Sequence, residues 1–282
     1  MCPVCQDTYW KSIEVGGVER VVRCDCWRQE VVGRLLKTAG IPPRFARAEL
    51  DNFERSYDTQ LKAWQKAADF VHAFPVVDKG LILHGVTGVG KTHLAVAILK
   101  AVIRDKGARG FFCETSELLK QVRNTYNTSV ELTELAILKP VLEGQLLVLD
   151  DLGFERPSEW VQETIGLVIN TRYNKRLPTI ITSNLAETDD NTVEKSFIVQ
   201  LGVRTRSRLL EMCDWVEMRG PDIRDIGPHA SVADVARWYK QSPASPEKLP
   251  KPADSKNRGQ ARARLREKSP ADLKWTGGKA GS

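Results

Sequence analysis

The chain has 282 residues and a formal charge of +6, a length that predicts one α/β core with appendages, because single cores stop growing near ~250 residues. No run approaches the ~18 consecutive apolar residues of a membrane-spanning helix, and the opening Met-Cys-Pro-Val-Cys lacks the basic-then-apolar layout of a secretion signal, so a soluble, cytoplasmic chain with no membrane partner is expected. From Gln241 to Ser282 ten Lys and Arg face four acids, which accounts for the whole +6, so a nucleic-acid reading of the basic charge applies to that tail and not to the body.

In chain order the first module, residues 1–28, is rich in cysteine. Cys2-x2-Cys5 and Cys24-x-Cys26 stand 18 residues apart, the crowding of metal ligands and not of a disulfide framework. Four thiolates suit a structural Zn²⁺, although the C-x-C pair is closer than usual zinc spacing, and so short a module needs a metal to fold; an iron–sulfur cluster is the alternative, because four thiolates also suit it. Cys113 and Cys213 stand alone in apolar context and read as ordinary buried cysteines.

A short helix is predicted from about Gln29 to Thr38, ended by Gly40 and Pro42-Pro43, and residues 29–58 form a lead-in. Thr59 to Phe74, apolar at Leu61, Trp64, Ala67, Ala68 and Val71, has helical spacing. Five apolar runs follow as buried strands: Leu81–His84, Gly110–Glu114, Leu146–Asp150, Thr179–Ser183 and Trp215–Met218. Helical patterns lie between them at Thr92–Lys106, Ser116–Tyr126, Glu131–Leu142 and Ser158–Lys175. The alternation predicts an α/β fold, a five-stranded parallel sheet between helices, over residues 59–228. Residues 229–282 hold one possible short helix, Ser231–Tyr239, and then a Pro-, Ser- and Lys-rich stretch expected to be disordered.

Gly85-Val86-Thr87-Gly88-Val89-Gly90-Lys91-Thr92 matches G-x-x-x-x-G-K-[ST] between a strand and a helix, the setting of a phosphate loop. Its glycines let successive N–H groups and the helix N-terminus face phosphates. Lys91 is expected to reach the β- and γ-phosphates and Thr92 to ligate Mg²⁺. Leu146 to Asp151 is an apolar strand ending in two carboxylates, at the edge where open α/β sheets bind ligands. Asp150 is expected to hold the metal and Asp151 to act as base for the attacking water. Asn184 ends the next strand, where an amide can meet the γ-phosphate or orient that water. Arg204, Arg206 and Arg208 alternate along Gly202–Leu210; they read as a solvated face, or, in an oligomeric ATPase, as an arginine aimed at a neighbour's phosphate.

These pieces, with Gly40–Phe45, Gly85–His93, Leu147–Gly153, Arg172-Tyr173-Asn174 before Pro178, Thr182-Ser183-Asn184, Ser207-Arg208-Leu209 and Gly220 to Arg224, resemble the DnaC/DnaI-type helicase loaders of the AAA+ class, with the IstB transposition ATPases as near relatives. The resemblance spans roughly Ile41 to Arg224. It implies that Asn184 is the sensor-1 residue, Arg208 the arginine finger and Arg224 a sensor-2-like residue, that His93 belongs to the nucleotide site, and that Ile41–Phe45 lies near adenine. Two departures stand out. Asp151 replaces the Glu of many AAA+ proteins, which implies slow hydrolysis, and the chain after Met218 is short for a full helical lid. Lys120 and Arg123, on the helix after the second core strand, fall where AAA+ initiators and loaders line a central channel, and are candidate DNA contacts.

The resemblance implies ATP, Mg²⁺ and Zn²⁺ as cofactors, and a homo-oligomeric ring or spiral acting with a replicative helicase on single-stranded DNA. The alternative is a transposition helper on duplex DNA with a transposase. The amino-terminal cysteines favour the loader, since a small zinc module of this kind resembles that of DnaI-type loaders. A stand-alone kinase leaves both the cysteines and Ser207-Arg208-Leu209 without a use.

Overall fold

Chain order runs β1 (Trp10–Val15), β2 (Val18–Arg23), α1 (Asp25–Thr38), a 3-10 turn (Pro43–Phe45), α2 (Asp58–Ala73), β3 (Gly80–Gly85), α3 (Lys91–Lys106), β4 (Gly110–Glu114), α4 (Thr115–Asn124), α5 (Glu134–Glu143), β5 (Leu146–Asp150), α6 (Glu159–Asn174), β6 (Thr179–Ser183), α7 (Phe197–Met212), β7 (Cys213–Met218) and α8 (Ile223–Ile226). The computed structural model describes residues 2–55, 58–126, 133–188, 193, 196–220 and 222–226. The expected basic tail and the helix Ser231–Tyr239 lie outside the described residues, as does the whole unit Ala236–Ser282.

The five core strands form one parallel sheet in the order β4-β5-β6-β3-β7. Successive strand residues face opposite sides, and here both sides are covered. Leu81, Leu83, Leu146, Val148 and Ile180 pack into one core with α2 and α3. Ile82, Leu147, Leu149 and Ile181, the residues between them, pack into a second with α4, α5, α6 and α7. All five residues of β5 and of β6 are buried, and each Leu or Ile so buried contributes about 1.5–3 kcal/mol. The parallel sheet between helices is the architecture expected from the sequence.

The lead-in is strapped to α3 by charge. Glu49 pairs with Lys100 and Arg104, and Lys100, itself buried, also donates to Ala46 O (2.6 Å) and Ala48 O (3.0 Å). Trp64 of α2 donates from Nε1 to Leu50 O at 2.9 Å.

Several elements differ from the sequence reading. The cysteine module contains an antiparallel hairpin, β1 with β2. Helix α1 begins at Asp25 and not near Gln29, with Cys24 at its N-cap, so it runs through the 28/29 boundary. Helix α5 begins at Glu134, where the Thr133 side chain accepts from Ala136 N; residues 131 and 132 lie outside the described set. The stretch carrying the three arginines is helical, in α7, with one break at Gly202 (φ 78, ψ 159).

Candidate functional site

Gly90 is the N-cap of α3, with φ 96, a conformation that glycine adopts without the clash a Cβ brings. Gly88, with φ 81, is crowded as well: a Cβ there would stand 1.9 Å from Asp222 Oδ1, and Ile223 N donates to Gly88 O at 3.1 Å. The chain after β7 therefore rests on the loop. From α2, Gln60 Nε2 donates to Val89 O at 3.3 Å while the Val89 side chain is buried, so this valine offers the site only its backbone. Val86 and Thr87 complete the loop, Val86 with its side chain exposed.

Lys91 Nζ donates to Gly85 O (2.9 Å), Val86 O (2.7 Å) and Asn184 Oδ1 (2.7 Å). Burial lowers its pKa to about 8, against the pull of Asp151 and Asp150. Asn184 donates in turn to Asp151 Oδ1 at 3.2 Å. Lysine, amide and second aspartate form one chain of polar contacts at the C-terminal ends of β3, β5 and β6.

Asp150 is 3% exposed. Burial raises its pKa, opposed by hydrogen bonds from Thr182 (Oγ1 to Oδ1, 2.6 Å) and Thr92. Thr182 Oγ1 also accepts from the N–H of Asp151, whose φ of 54 turns the chain at the strand end. The Asp151 pKa is raised by burial and by Glu114, and lowered by Lys91. A carboxylate and a hydroxyl side by side, Asp150 and Thr92, form a hard oxygen pair that suits Mg²⁺. Bound there, the ion would supply the positive charge that the buried Asp150 carboxylate lacks.

The remaining expected residues are spread around the sheet. His93 is engaged by the lead-in: Nε2 lies 2.9 Å from Asn52 Oδ1 and 3.3 Å from Glu49 O, and its ring meets Phe53 edge-on at 5.7 Å. Ile41 and Phe45 pack against the core that contains α3. Arg224 is exposed, 3.8 Å from Asp222, and near enough to Lys91 to lower its pKa. Arg208 lies with Cζ 5.8 Å from the centre of the Tyr173 ring. Tyr173 borders a cleft of about 550 Å³ with Gly80 and Pro178, at the N-terminal ends of β3 and β6. Arg208 is thus placed by Tyr173 toward the N-terminal edge of the sheet, whereas its own phosphate loop follows the C-terminal end of β3. On α7, Arg204 and Arg208 share a face while Arg206 turns its Nε into the interior. Lys120 and Arg123 are exposed on α4, and Arg123 Cζ stands 4.7 Å over the Trp160 ring.

At the amino end Sγ of Cys2, Cys5, Cys24 and Cys26 all lie within 4.8 Å of one another. Cys2 and Cys24 are 3.8 Å apart, Cys5 and Cys26 3.2 Å. A tetrahedron with Zn–S of ≈ 2.3 Å needs sulfurs about 3.8 Å apart, so the four fit one zinc. Backbone N–H groups of Cys5 and Val4 hold the Cys2 thiol down to about 6. Burial pushes Cys113 and Cys213 up to about 12, as inert thiols.

A family model for the IstB-like ATP binding protein matches residues 18–225, from the hairpin through the last described turn. The chain belongs to this family. Among relatives, the replicative helicase loader DnaI of Bacillus subtilis (strain 168) is 27% identical over 179 residues, 62% of this chain and 56% of that one. The replicative helicase loader DnaC of Escherichia coli (strain K12) is 25% identical over 156 residues, 55% and 63% respectively. The chain spans less than two thirds of the length of either. Among solved structures, the crystal structure of the DnaC helicase loader is 37% identical with a TM-score of 0.57, covering 63% of this chain and 100% of that one. The fold is that of the DnaC/DnaI-type AAA+ proteins.

In this IstB-like chain the match opens at Val18, so Cys2 and Cys5 fall before it and Cys24 and Cys26 inside it. Sequence reasoning passed over two residues at the IstB-like site. Thr182 ties Asp150 to the backbone of Asp151; its signal was a hydroxyl arriving at the end of an otherwise apolar strand. Glu114, register partner of Asp150 at the end of β4, brings a third carboxylate to the same edge, and only the pairing of the strands reveals it.

Proposed function

We propose that this IstB-like chain is a slow ATPase that loads or regulates a replicative helicase on single-stranded DNA, working as an ATP-bound homo-oligomer. The observation that carries the reading is the meeting of Lys91, Asp150, Asp151 and Asn184 at one sheet edge, in a chain that aligns with the whole of the DnaC helicase loader structure. Residues 85–92 cradle the phosphates, Thr92 and Asp150 hold Mg²⁺, and Asp151 takes the proton of the attacking water while Asn184 orients it. Arg224 joins the site from the segment that rests on the loop. Arg208 serves a neighbour's nucleotide, a role supported by its place toward the sheet edge opposite its own loop.

In this scheme residues 1–28 form a zinc module, 29–58 the lead-in, 59–228 the ATPase core and 229–282 a basic tail. Single-stranded DNA contacts Lys120 and Arg123 of α4; support comes from Trp160 beneath Arg123 and from Tyr126, 60% exposed, whose hydroxyl accepts from Trp160 Nε1. Aromatic faces beside basic groups suit stacked bases.

The test is co-purification with a tagged replicative helicase, with and without ATP. ATP-dependent recovery is expected, and absence of the helicase under both conditions refutes the loader. The family description, IstB-like, supports a second reading as a transposition helper. That reading predicts ATP-dependent assembly on duplex DNA and indifference to the helicase.

A further inference from the structure

We propose that Tyr173 is a positioning residue for Arg208: its ring carries the guanidinium, and its hydroxyl withdraws Glu211, so that the arginine is presented to a neighbouring protomer without a carboxylate partner. The proposal rests on the reading of Arg208 as acting in trans.

Arg208 and Glu211 stand three residues apart on the second limb of α7, a spacing at which opposite charges on a helix can meet. They do not pair here. Glu211 Oε2 instead accepts the Tyr173 hydroxyl at 2.8 Å. Among the described residues no carboxylate lies within ion-pair distance of Arg208; what it meets is the face of the same tyrosine, 5.8 Å from Cζ, inside the ~6 Å range of a cation–π contact. An aromatic ring holds a guanidinium in place without neutralising it. A carboxylate would neutralise it, and a finger that must stabilise phosphoryl charge needs its own charge unspent.

The tyrosine is fixed for this task. Its neighbour Arg172 is fully buried, donating to Thr179 Oγ1 (2.8 Å), Val141 O (2.9 Å), Gly144 O (3.0 Å) and Pro178 O (2.7 Å). Arg176 N donates to Tyr173 O at 3.1 Å. The last turn of α6 is thereby tied to the start of β6, which fixes the backbone that carries the ring. Glu211 also raises the Tyr173 pKa, which keeps the hydroxyl a donor. Phenylalanine would supply the ring but leave Glu211 free to turn onto Arg208. The Arg172-Tyr173 pair so divides its work: one residue anchors the helix end and the other presents the finger.

The experiment uses the full chain, reading steady-state ATP hydrolysis at assembling protein concentrations together with fluorescent-nucleotide affinity. Tyr173→Ala should lower turnover about 2- to 5-fold, the worth of an exposed cation–π contact, with affinity unchanged. Tyr173→Phe should lower it about 2-fold, and Glu211→Gln in that background should restore it, because the amide no longer attracts the guanidinium. Adding Tyr173→Ala to Arg208→Ala should cost nothing more. Independent, multiplying effects of the two, or no rescue by Glu211→Gln, would show that Tyr173 only packs α6 on α7 and would overturn the proposal. If Arg208→Ala alone leaves turnover intact, the trans reading itself fails and the proposal with it. Should Tyr173→Ala fail to fold, the Phe and Gln pair still decides.

Discussion

Asn184 Oδ1 accepts a hydrogen bond from Lys91 Nζ at 2.7 Å, joining the end of β6 to the first residue of α3. Its Nδ2 reaches Asp151 from the other side, so the amide couples the phosphate lysine to the proposed base. Asn184→Ala should leave nucleotide affinity within a few-fold of wild type and lower hydrolysis by about 10- to 100-fold. Phosphate release measured beside fluorescent-nucleotide titration checks this, and equal loss in both would make Asn184 a binding residue only.

Lys91→Ala should abolish nucleotide binding while far-ultraviolet circular dichroism stays normal. The wild-type lysine also gives a pH signature. With a pKa of about 8 it is charged at neutral pH and loses its proton as pH rises through that value. Affinity for ATP should therefore hold from pH 6 to 7.5 and fall steadily above 8. The sign for folding is opposite: between about 8 and 10.5 the unfolded chain binds more protons, so this group's contribution to stability rises with pH. Affinity that stays flat to pH 9.5 contradicts the assignment.

Elemental analysis of purified protein should give one zinc per chain. Cys24→Ser should lose it, because one of the four clustered sulfurs is removed while serine still suits the N-cap of α1, and ATP binding by the core should survive. Iron with visible absorbance in anaerobically purified protein selects the cluster instead.

Arg172 is a buried cation whose described partners are carbonyls and one hydroxyl. Burial lowers its pKa to about 10. Arg172→Ala strands the carbonyls of Val141, Gly144 and Pro178 and leaves a cavity, for a loss of about 3–5 kcal/mol. Urea denaturation reads the loss, and a change below about 1 kcal/mol would mean water takes over those contacts.

Arg208→Ala should keep ATP binding and lower hydrolysis by as much as ~10³-fold. Mixed with Lys91→Ala, it should regain part of the activity, since one chain brings an intact loop and the other an intact arginine. A mixture that assembles but stays inactive refutes action in trans. Arg204, on the same helix face, would be the next residue to test, because Arg206 directs its Nε inward.

Three strands, Gly110–Glu114, Leu146–Asp150 and Thr179–Ser183, have the bounds read from sequence because each is a short apolar run that turns polar at the sheet edge. Strand β7 begins two residues before the expected Trp215; Cys213 and Asp214 join it by pairing with Gly80 and Leu81, which no local pattern displays. The hairpin was hidden because Trp10, Ile13, Val18 and Val21 are exposed and give no alternation with a buried face. The available signal was Gly16-Gly17, a two-residue turn with φ of 62 and 78. Arginines at alternate positions mask the helix of α7, and Gly202 interrupts its period. Within the site, residues on the P-loop and at strand ends were legible from spacing. The Thr182 bridge and Glu114 were not, since each depends on register between strands distant in sequence.

Helix α3 has sixteen residues, a shaft about 24 Å long. At one tip are the glycines that face phosphate. At the other, Arg28 of α1 donates to Asp105 O at 2.8 Å and to Arg104 O at 3.5 Å, closing carbonyls that the helix end leaves open. Cysteine module and phosphate loop are therefore mounted on opposite ends of a single axle, and Glu49 grips its C-terminal half. Helix α1 thus touches, at one end of α3, the same rigid element that begins at the loop of residues 85–92.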